Sequence, residues 1–337
     1  MTPNSWESLI STWDARLRRA FMSSIYTIRD TAQIDLIARM LERGDVEGAL
    51  RAVGLDPAAF RDLDREIEKA FESGGSATVK QFHPAVGSLG HRLIVRFNIR
   101  NPSAENWLRI HSSELIKEIL DDQRAMIRSA LQYGMAQGLN PRTTALDLVG
   151  RISTATGRRE SGLLGLTSSQ SEWARNYAEE LASKNPLAAL SRSLRDKRFD
   201  AAVKRAALAG EPIPAALRQK MVDAYRNRAL RYRAEAIART ESMASLHQAQ
   251  EEAIRQAIES GAVQSAQVEY IWRTARDTRV RDTHQTMDGQ RVSRGELFIT
   301  GSGARLRFPG DPTGPASEII NCRCWREPKV DFLAGIR

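Results

Sequence analysis

The longest regular pattern of apolar positions lies in the third quarter of the chain. Residues 215–260 contain neither glycine nor proline. They predict one helix of about 69 Å at 1.5 Å per residue, or two shorter helices in series. Gly261 predicts the end of this helix. On a helical wheel, one apolar stripe is formed by Val222, Tyr225, Ala229, Tyr232, Ala236, Met243, Ile254 and Ile258.

Polar residues interrupt this stripe. His247 and Gln250 fall inside it, and Arg239 lies at its edge. Polar groups on a buried helix face need hydrogen-bonding partners. The pattern therefore predicts that a polar element docks against them, unless this end of the helix faces solvent.

Capping signals place a helix in the first quarter of the chain. Asp56 is a predicted N-cap with Pro57 at the first helical position, and Gly74 predicts the end of that helix. The helical pattern is lost over residues 75–105. There the run LIVRFNI, residues 93–99, predicts a short strand within a linker.

The helical pattern returns between residues 105 and 184. A periodic segment over 107–137 predicts a long helix. Asn140 followed by Pro141 predicts the start of the next helix. Thr167 and Gln170 form a predicted capping box before another.

The last quarter of the chain changes from helical to strand-like patterning. VEYIWRTA, residues 268–275, predicts a strand, and Asp288-Gly289 predicts a turn in the polar loop after it. Gly301 and Gly303 predict a hairpin. We expect these elements to form a small α+β module that uses the preceding long helix to complete its core.

The predicted fold class is mostly α. Helical N-terminal and middle regions precede a small α+β C-terminal module built on a long helix. The predicted boundaries are 1–75 for the N-terminal region, 76–214 for the middle region with its short extended linker, and 215–337 for the long helix and the module.

Composition excludes several classes of protein. The chain has 337 residues, of which 42% are hydrophobic and 27% are charged, as in globular proteins rather than disordered ones. No apolar run approaches the roughly 20 residues of a membrane span. The first residues lack a basic-then-apolar signal pattern, and two cysteines cannot form a disulfide framework. We therefore expect a protein of a reducing cytoplasm.

The formal charge of +9 is concentrated in one region. Residues 184–233 carry 13 basic and 4 acidic residues. Such a region can neutralise the phosphates of double-stranded DNA without sequence specificity. The alternatives are a solvated helical face or an acidic protein partner. The predicted patch consists of Lys184, Arg192, Arg195, Lys197, Arg198, Lys204, Arg205, Arg226, Arg228, Arg231 and Arg233.

The tail holds the residues that could bind a metal. His284, Cys322 and Cys324 are three potential zinc ligands, with Asp277 or Asp282 as a fourth. The C-x-C spacing argues against this reading, because structural zinc sites usually use C-x₂₋₄-C. Two small buried cysteines that pack near the chain end are the alternative. We therefore predict neither metal nor cofactor, with zinc as the exception to test.

The polar residues of the tail have two other interpretations, one catalytic and one structural. His284 with Asp277 or Asp282 could form a general acid/base pair, and Arg279 could hold a phosphoryl group beside them. No nucleophile or phosphate-binding glycine motif accompanies these residues. The structural reading is that hydrogen bonds and ion pairs hold the polar loop, with Arg239 as the expected partner of Asp277. We adopt the structural reading and predict no catalytic residue.

These motifs resemble a known family. RAEAIARTESMASLHQAQEEAI, residues 233–254, is similar to the helix that opens the C-terminal domain of phage minor head proteins. WRTARDTRVRDTHQTMDGQ, residues 272–290, resembles the W-x-x-x-x-D-x-R-x-R-x-x-H-x-x-x-D-G-Q hallmark of that domain. Residues 85–232 resemble the upstream helical part less distinctively. The hallmark positions that we treat as fold-defining are Arg239, Thr240, Glu241, Trp272, Asp277, Arg279, Arg281, His284, Asp288, Gly289, Pro309, Gly310, Asp311, Asn321, Cys322, Arg323 and Cys324.

The resemblance to the Mu F-like head morphogenesis family implies a structural virion component of a tailed phage. It implies a place inside the capsid near the portal, reached from the host cytoplasm during assembly. The implied partners are portal protein, capsid or scaffold proteins and double-stranded DNA, with a role in assembly and in DNA packaging or delivery. The alternative is a metal- or histidine-dependent hydrolase, resembling a nuclease, in the C-terminal module.

Overall fold

The computed structural model describes residues 3–81, 85–86, 92–93 and 95–331. Its helices are α1 (Pro3–Thr31), α2 (Ile34–Glu42), α3 (Val46–Val53), α4 (Arg61–Val79), α5 (Pro102–Ala136), α6 (Pro141–Val149), α7 (Ser168–Ala182), α8 (Asp200–Ala209), α9 (Ala215–Glu259), α10 (Asp282–Gln285) and α11 (Ala316–Ile319). Short 3₁₀ turns span Pro57–Phe60, Pro186–Ser191, Lys197–Phe199 and Ser265–Gln267. The strands are β1 (Ala85–Val86), β2 (Arg92–Leu93), β3 (Arg151–Ile152), β4 (Arg159–Glu160), β5 (Val268–Arg273), β6 (Arg291–Ser293), β7 (Phe298–Ile299), β8 (Arg305–Leu306) and β9 (Trp325–Val330).

The predicted fold class is confirmed. Of the residues that the structure describes, 64% are helical, and the longest strands among them, β5 and β9, lie in the C-terminal region. Among the described residues, no helix combines the length and the apolarity needed to cross a bilayer.

The Gly/Pro-free segment forms the single helix α9. Its C-terminal end is closed at Gly261, which has a φ of +74° and donates its N–H to the carbonyl of Ile258. Most of the predicted apolar stripe is buried, but Tyr232 is exposed.

The predicted helix starts are confirmed by their capping bonds. Asn140 accepts a hydrogen bond from the Thr143 N–H, and Thr167 and Gln170 form both bonds of a capping box. Asp56 caps a 3₁₀ turn that leads into α4, rather than capping α4 itself.

The predicted end of α4 at Gly74 is wrong. The helix runs on to Val79, and Gly74 is buried within it. A Cβ atom at Gly74 would lie 2.8 Å from the carbonyl oxygen of Leu246. Glycine therefore serves here to let α4 approach α9 closely, not to end a helix.

The predicted strand over residues 93–99 is also wrong in its described part, since only Leu93 is in a strand, β2. The side chain of Gln256 bonds both the N–H and the carbonyl of Asn98, at 2.8 and 2.9 Å. The Phe97 ring packs 5.9 Å from that of Phe71. A helix side chain thus satisfies backbone groups that a neighbouring strand would otherwise pair.

The chain divides into two compact units, each made of separated segments. The terminal unit comprises residues 1–20, 62–113 and 235–337, and the middle unit comprises 21–61 and 114–234. The sequence instead predicts three consecutive regions. The units differ from them because α1, α5 and α9 each contribute residues to both units.

A three-stranded antiparallel sheet of order β6-β5-β9 organises the terminal unit. Val268, Tyr270 and Trp272 alternate along β5 and are buried in one core with Ile254 of α9. The long helix thus contributes to the module core, as predicted. The predicted hairpin is formed by β7 and β8.

Candidate functional site

A histidine and both cysteines of the chain come together inside the terminal unit. His284 lies on α10, in the loop region between β5 and β6, and Cys322 and Cys324 lie in the segment that leads into β9. The Nδ1 atom of His284 is 3.5 Å from the Sγ atom of each cysteine. Each of the three residues is only 1% exposed. Residues 38 positions apart therefore form one enclosed polar cluster, which we call the His-Cys-Cys cluster.

The local backbone explains how a C-x-C spacing directs both thiols to one side. Asn321 has a φ of +57°, which turns the chain before the cysteines. In an extended segment, alternate side chains point the same way. Cys322 and Cys324 therefore both reach His284, while Arg323 between them binds Asp277.

The other ring nitrogen of His284 faces a carboxylate. Its Nε2 atom lies 2.9 Å from Oε2 of Glu318, but its N–H direction is not aligned for a hydrogen bond. The hydroxyls of Thr283 and Ser302 donate to Glu318 at 2.9 and 2.6 Å. Burial alone would raise the pKa of Glu318, but these two bonds and the proximity of His284 lower it overall.

The aspartates predicted to assist His284 are elsewhere. Asp277 binds the Arg323 side chain and the N–H of Arg279, and Asp282 is exposed on α10. Neither belongs to the His-Cys-Cys cluster. Neither carboxylate therefore lies beside His284 as a fourth ligand or an acid/base partner, because Asp277 is bound by Arg323 and Asp282 is exposed.

Arg239 does not bind Asp277 as the sequence predicts. It forms an ion pair with Asp14 of α1. The reason is that N-terminal residues 1–20 belong to the terminal unit, which no local pattern reveals. Burial raises the pKa of Asp14, although Arg239 opposes this.

The prediction that a polar element docks on His247 and Gln250 is confirmed. Arg326 of β9 donates its backbone N–H to His247 Nε2 at 3.0 Å and its Nε–H to Gln250 Oε1 at 2.9 Å. Its Nη1 atom is 3.0 Å from Glu251 Oε2, and its guanidinium lies 3.9 Å from the centre of the Tyr270 ring. Arg326 is 2% exposed, so these groups replace water around a buried charge.

The same contacts determine the protonation state and the tautomer of His247. Burial, and then the nearby Arg326 charge, lower the pKa of His247 to about 3. The ring is neutral at pH 7. Since Nε2 accepts from Arg326, Nδ1 carries the proton and donates to the Met243 carbonyl, 2.9 Å away.

The remaining hallmark residues also contact other residues of the terminal unit. Asp288 accepts from the Thr274 N–H at 2.9 Å, and Asp311 binds Arg307 at 2.6 Å. Further contacts are Glu241 with His111, Thr240 Oγ1 with the Asn321 N–H, Arg281 with the carbonyls of Glu318 and Ile320, Trp272 edge-on to His284, and Arg279 with Asp277. Gly289 and Gly310 adopt positive φ, and Pro309 precedes the second of them.

Sequence reasoning missed three polar residues of this unit: Glu251, Glu318 and Arg326. Glu251 is next to Gln250 on α9 but points about 100° away around the helix, so the predicted stripe does not include it. Arg326 follows the cysteines within an otherwise ordinary strand, and Glu318 lies on a four-residue helix. For these two we find no sequence pattern that would have indicated a buried role.

In the middle unit, internal carboxylates bind about half of the predicted basic patch. Arg198 and Arg228 share Asp196, at 2.7 and 3.2 Å. The other pairs are Arg192 with Glu180, Arg195 with Asp200, Arg226 with Asp147 and Arg233 with Asp122. Internal carboxylates therefore partly neutralise these six arginines of the predicted patch.

Five members of the patch are exposed and lie outside the ion pairs that the described residues form: Lys184, Lys197, Lys204, Arg205 and Arg231. Lys204 and Arg205 are on α8, and Lys197 lies on the 3₁₀ turn just before it. These cations are available to a partner.

Comparison with known proteins identifies the class to which these features belong. A family model described as Phage Mu protein F like protein matches residues 125–326, which is more than half of the chain. The chain therefore belongs to the Phage Mu protein F like family, which is associated with phage head morphogenesis. No curated protein and no solved structure matches the chain.

Proposed function

We propose that this protein is a minor head protein of a tailed phage, bound inside the capsid near the portal, where it assists assembly and DNA packaging or delivery. The observation that carries the proposal is the family match over residues 125–326. The matched range contains α9 through the start of β9, including the His-Cys-Cys cluster and most of the Arg326 network.

The buried histidines favour a structural role over a hydrolase. His284 and His247 are 1% and 0% exposed. A general acid or base must reach the reacting group of its substrate within hydrogen-bonding distance. In this conformation protein atoms enclose both rings.

We propose that the exposed cations of the middle unit contact packaged double-stranded DNA. Lys197, Lys204 and Arg205 are close in sequence and free of internal carboxylates in the described ion pairs, so they can neutralise phosphates. Each phosphate neutralised contributes about −0.9 to the slope of log K against log salt. Three contacts therefore predict a loss of about 2.7 from this slope when all three are removed.

The experiment for this contact measures duplex binding by the full-length chain at several salt concentrations. The variant Lys197→Gln/Lys204→Gln/Arg205→Gln is compared with a control that loses the same number of charges, the triple variant Arg43→Gln/Arg61→Gln/Lys117→Gln. The control residues are also exposed. Equal slopes for the variant and the control would remove DNA contact by these side chains from the proposal.

Co-purification tests the place of the protein in the head. The full-length chain is co-expressed with the portal protein of the same phage and isolated through a tag on the portal. We expect a stable complex, and virions should contain the chain in few copies. Absence of the chain from purified virions would refute the proposal.

A further inference from the structure

We propose that His284, Cys322 and Cys324 bind a zinc ion within the terminal unit. This goes beyond the proposed function and does not depend on it. The three ligand atoms, one ring nitrogen and two sulfurs, all lie within 4.8 Å of one another. Imidazole nitrogen and thiolate sulfur are the ligands that zinc prefers in proteins.

The spacing of these atoms matches tetrahedral coordination. Zinc bonds of about 2.3 Å to sulfur and about 2.0 Å to nitrogen hold a nitrogen and a sulfur ligand about 3.5 Å apart at the tetrahedral angle. The observed distance from His284 Nδ1 is 3.5 Å to each Sγ atom. One ion can therefore reach the nitrogen and both sulfurs.

Glu318 supplies the second feature of a histidine zinc site. A metal-bound histidine usually presents its other ring N–H to a carboxylate, which fixes the tautomer. His284 Nε2 lies 2.9 Å from Glu318 Oε2, although its N–H is not aligned with that oxygen in this structure. A proton on Nε2 leaves Nδ1, which faces the two sulfurs, able to bind the ion.

The thiols are poorly explained as apolar packing alone. Two thiols that serve only as small hydrophobic side chains need no imidazole nitrogen between them. Here the Nδ1 atom of His284 lies 3.5 Å from both sulfurs, and all three side chains are buried.

The extended C-x-C segment also resolves the objection from spacing. C-x₂₋₄-C places two ligands on one turn, whereas here alternation along an extended chain does so, and His284 is contributed by another loop. The ion joins the region after β5 to the start of β9.

The experiment begins with the full-length chain, expressed and purified without chelators. Elemental analysis should find one zinc ion per chain. After metal removal, titration with Co²⁺ should produce the near-ultraviolet charge-transfer absorption of cobalt bound to thiolate. A chain that carries no zinc and gives no such absorption overturns the proposal.

Variants then locate the ion. Cys322→Ser/Cys324→Ser and His284→Gln should each lose the zinc, whereas the control His111→Gln should retain it, since His111 faces Glu241. Glu318→Gln should bind zinc about 10- to 100-fold more weakly, because the carboxylate orients the histidine. Zinc retained in full by a folded Cys322→Ser/Cys324→Ser variant overturns the assignment. If that variant does not fold, the cobalt spectrum of the unaltered chain decides.

Discussion

Replacing Arg326 by methionine tests whether the buried polar network stabilises the terminal unit. Methionine keeps the backbone N–H that binds His247 but removes the guanidinium. The change leaves Gln250 Oε1 without its hydrogen-bond donor. It also removes the cation that lies 3.0 Å from the Glu251 carboxylate. Breaking a buried ion pair by removing one partner costs about 3–5 kcal/mol. Because Tyr270 and Arg294 still contact Glu251, we expect a loss of about 3 kcal/mol, at the lower end of that range.

Urea unfolding, followed by circular dichroism and by tryptophan fluorescence, measures this loss. The matched control is Lys329→Met on the same strand. It removes the ion pair of Lys329 with Glu327, in which the lysine side chain is 56% exposed. An exposed pair contributes about 0–1 kcal/mol. If Arg326→Met lowers the free energy of unfolding no more than Lys329→Met does, the network does not stabilise the fold and the reasoning fails.

Two further predictions concern one residue in each unit. Gly74→Ala should destabilise the chain by about 1–3 kcal/mol through overpacking, since its Cβ would meet the Leu246 carbonyl at 2.8 Å; thermal unfolding beside a Ser73→Ala control measures this, and stabilisation by the better helix former would contradict it. Hydrogen bonds from Arg198 lower the pKa of Asp196 to about 2, so its ionised form stabilises the native state above about pH 4, the unfolded value, and this contribution is lost as the pH falls to about 2. Asp196→Asn should flatten that acid dependence in a pH series of unfolding midpoints, and an unchanged series would show that the carboxylate contributes nothing.

Arg326 is the buried partner of two polar residues of α9, and no local sequence pattern identifies it. Its backbone and side chain together satisfy His247 and Gln250 of α9, residues 79 and 76 positions away. A stripe of apolar positions with two polar interruptions was enough to predict that a polar group docks there. The identity of that group depended on which strand of the sheet lies beside α9.

The sequence predicted the elements whose causes are local. Asn140, Thr167 and Gly261 act through bonds to residues within a few positions, so capping patterns placed these helix ends correctly. Gly74 failed because the same residue type serves two purposes. Ending a helix is a local property, whereas permitting close approach to another helix depends on the neighbour.

The candidate site shows the same division. Residue types and order alone identified His284, Cys322 and Cys324 as potential ligands and indicated the family. Only the tertiary structure shows that these three residues lie close together and that Glu318 contacts the other ring nitrogen of His284. It also shows that Arg239 pairs with Asp14. The physical reason is range: capping and periodicity act over a turn of helix, whereas the partner of a buried charge is set by how segments far apart in the chain pack together.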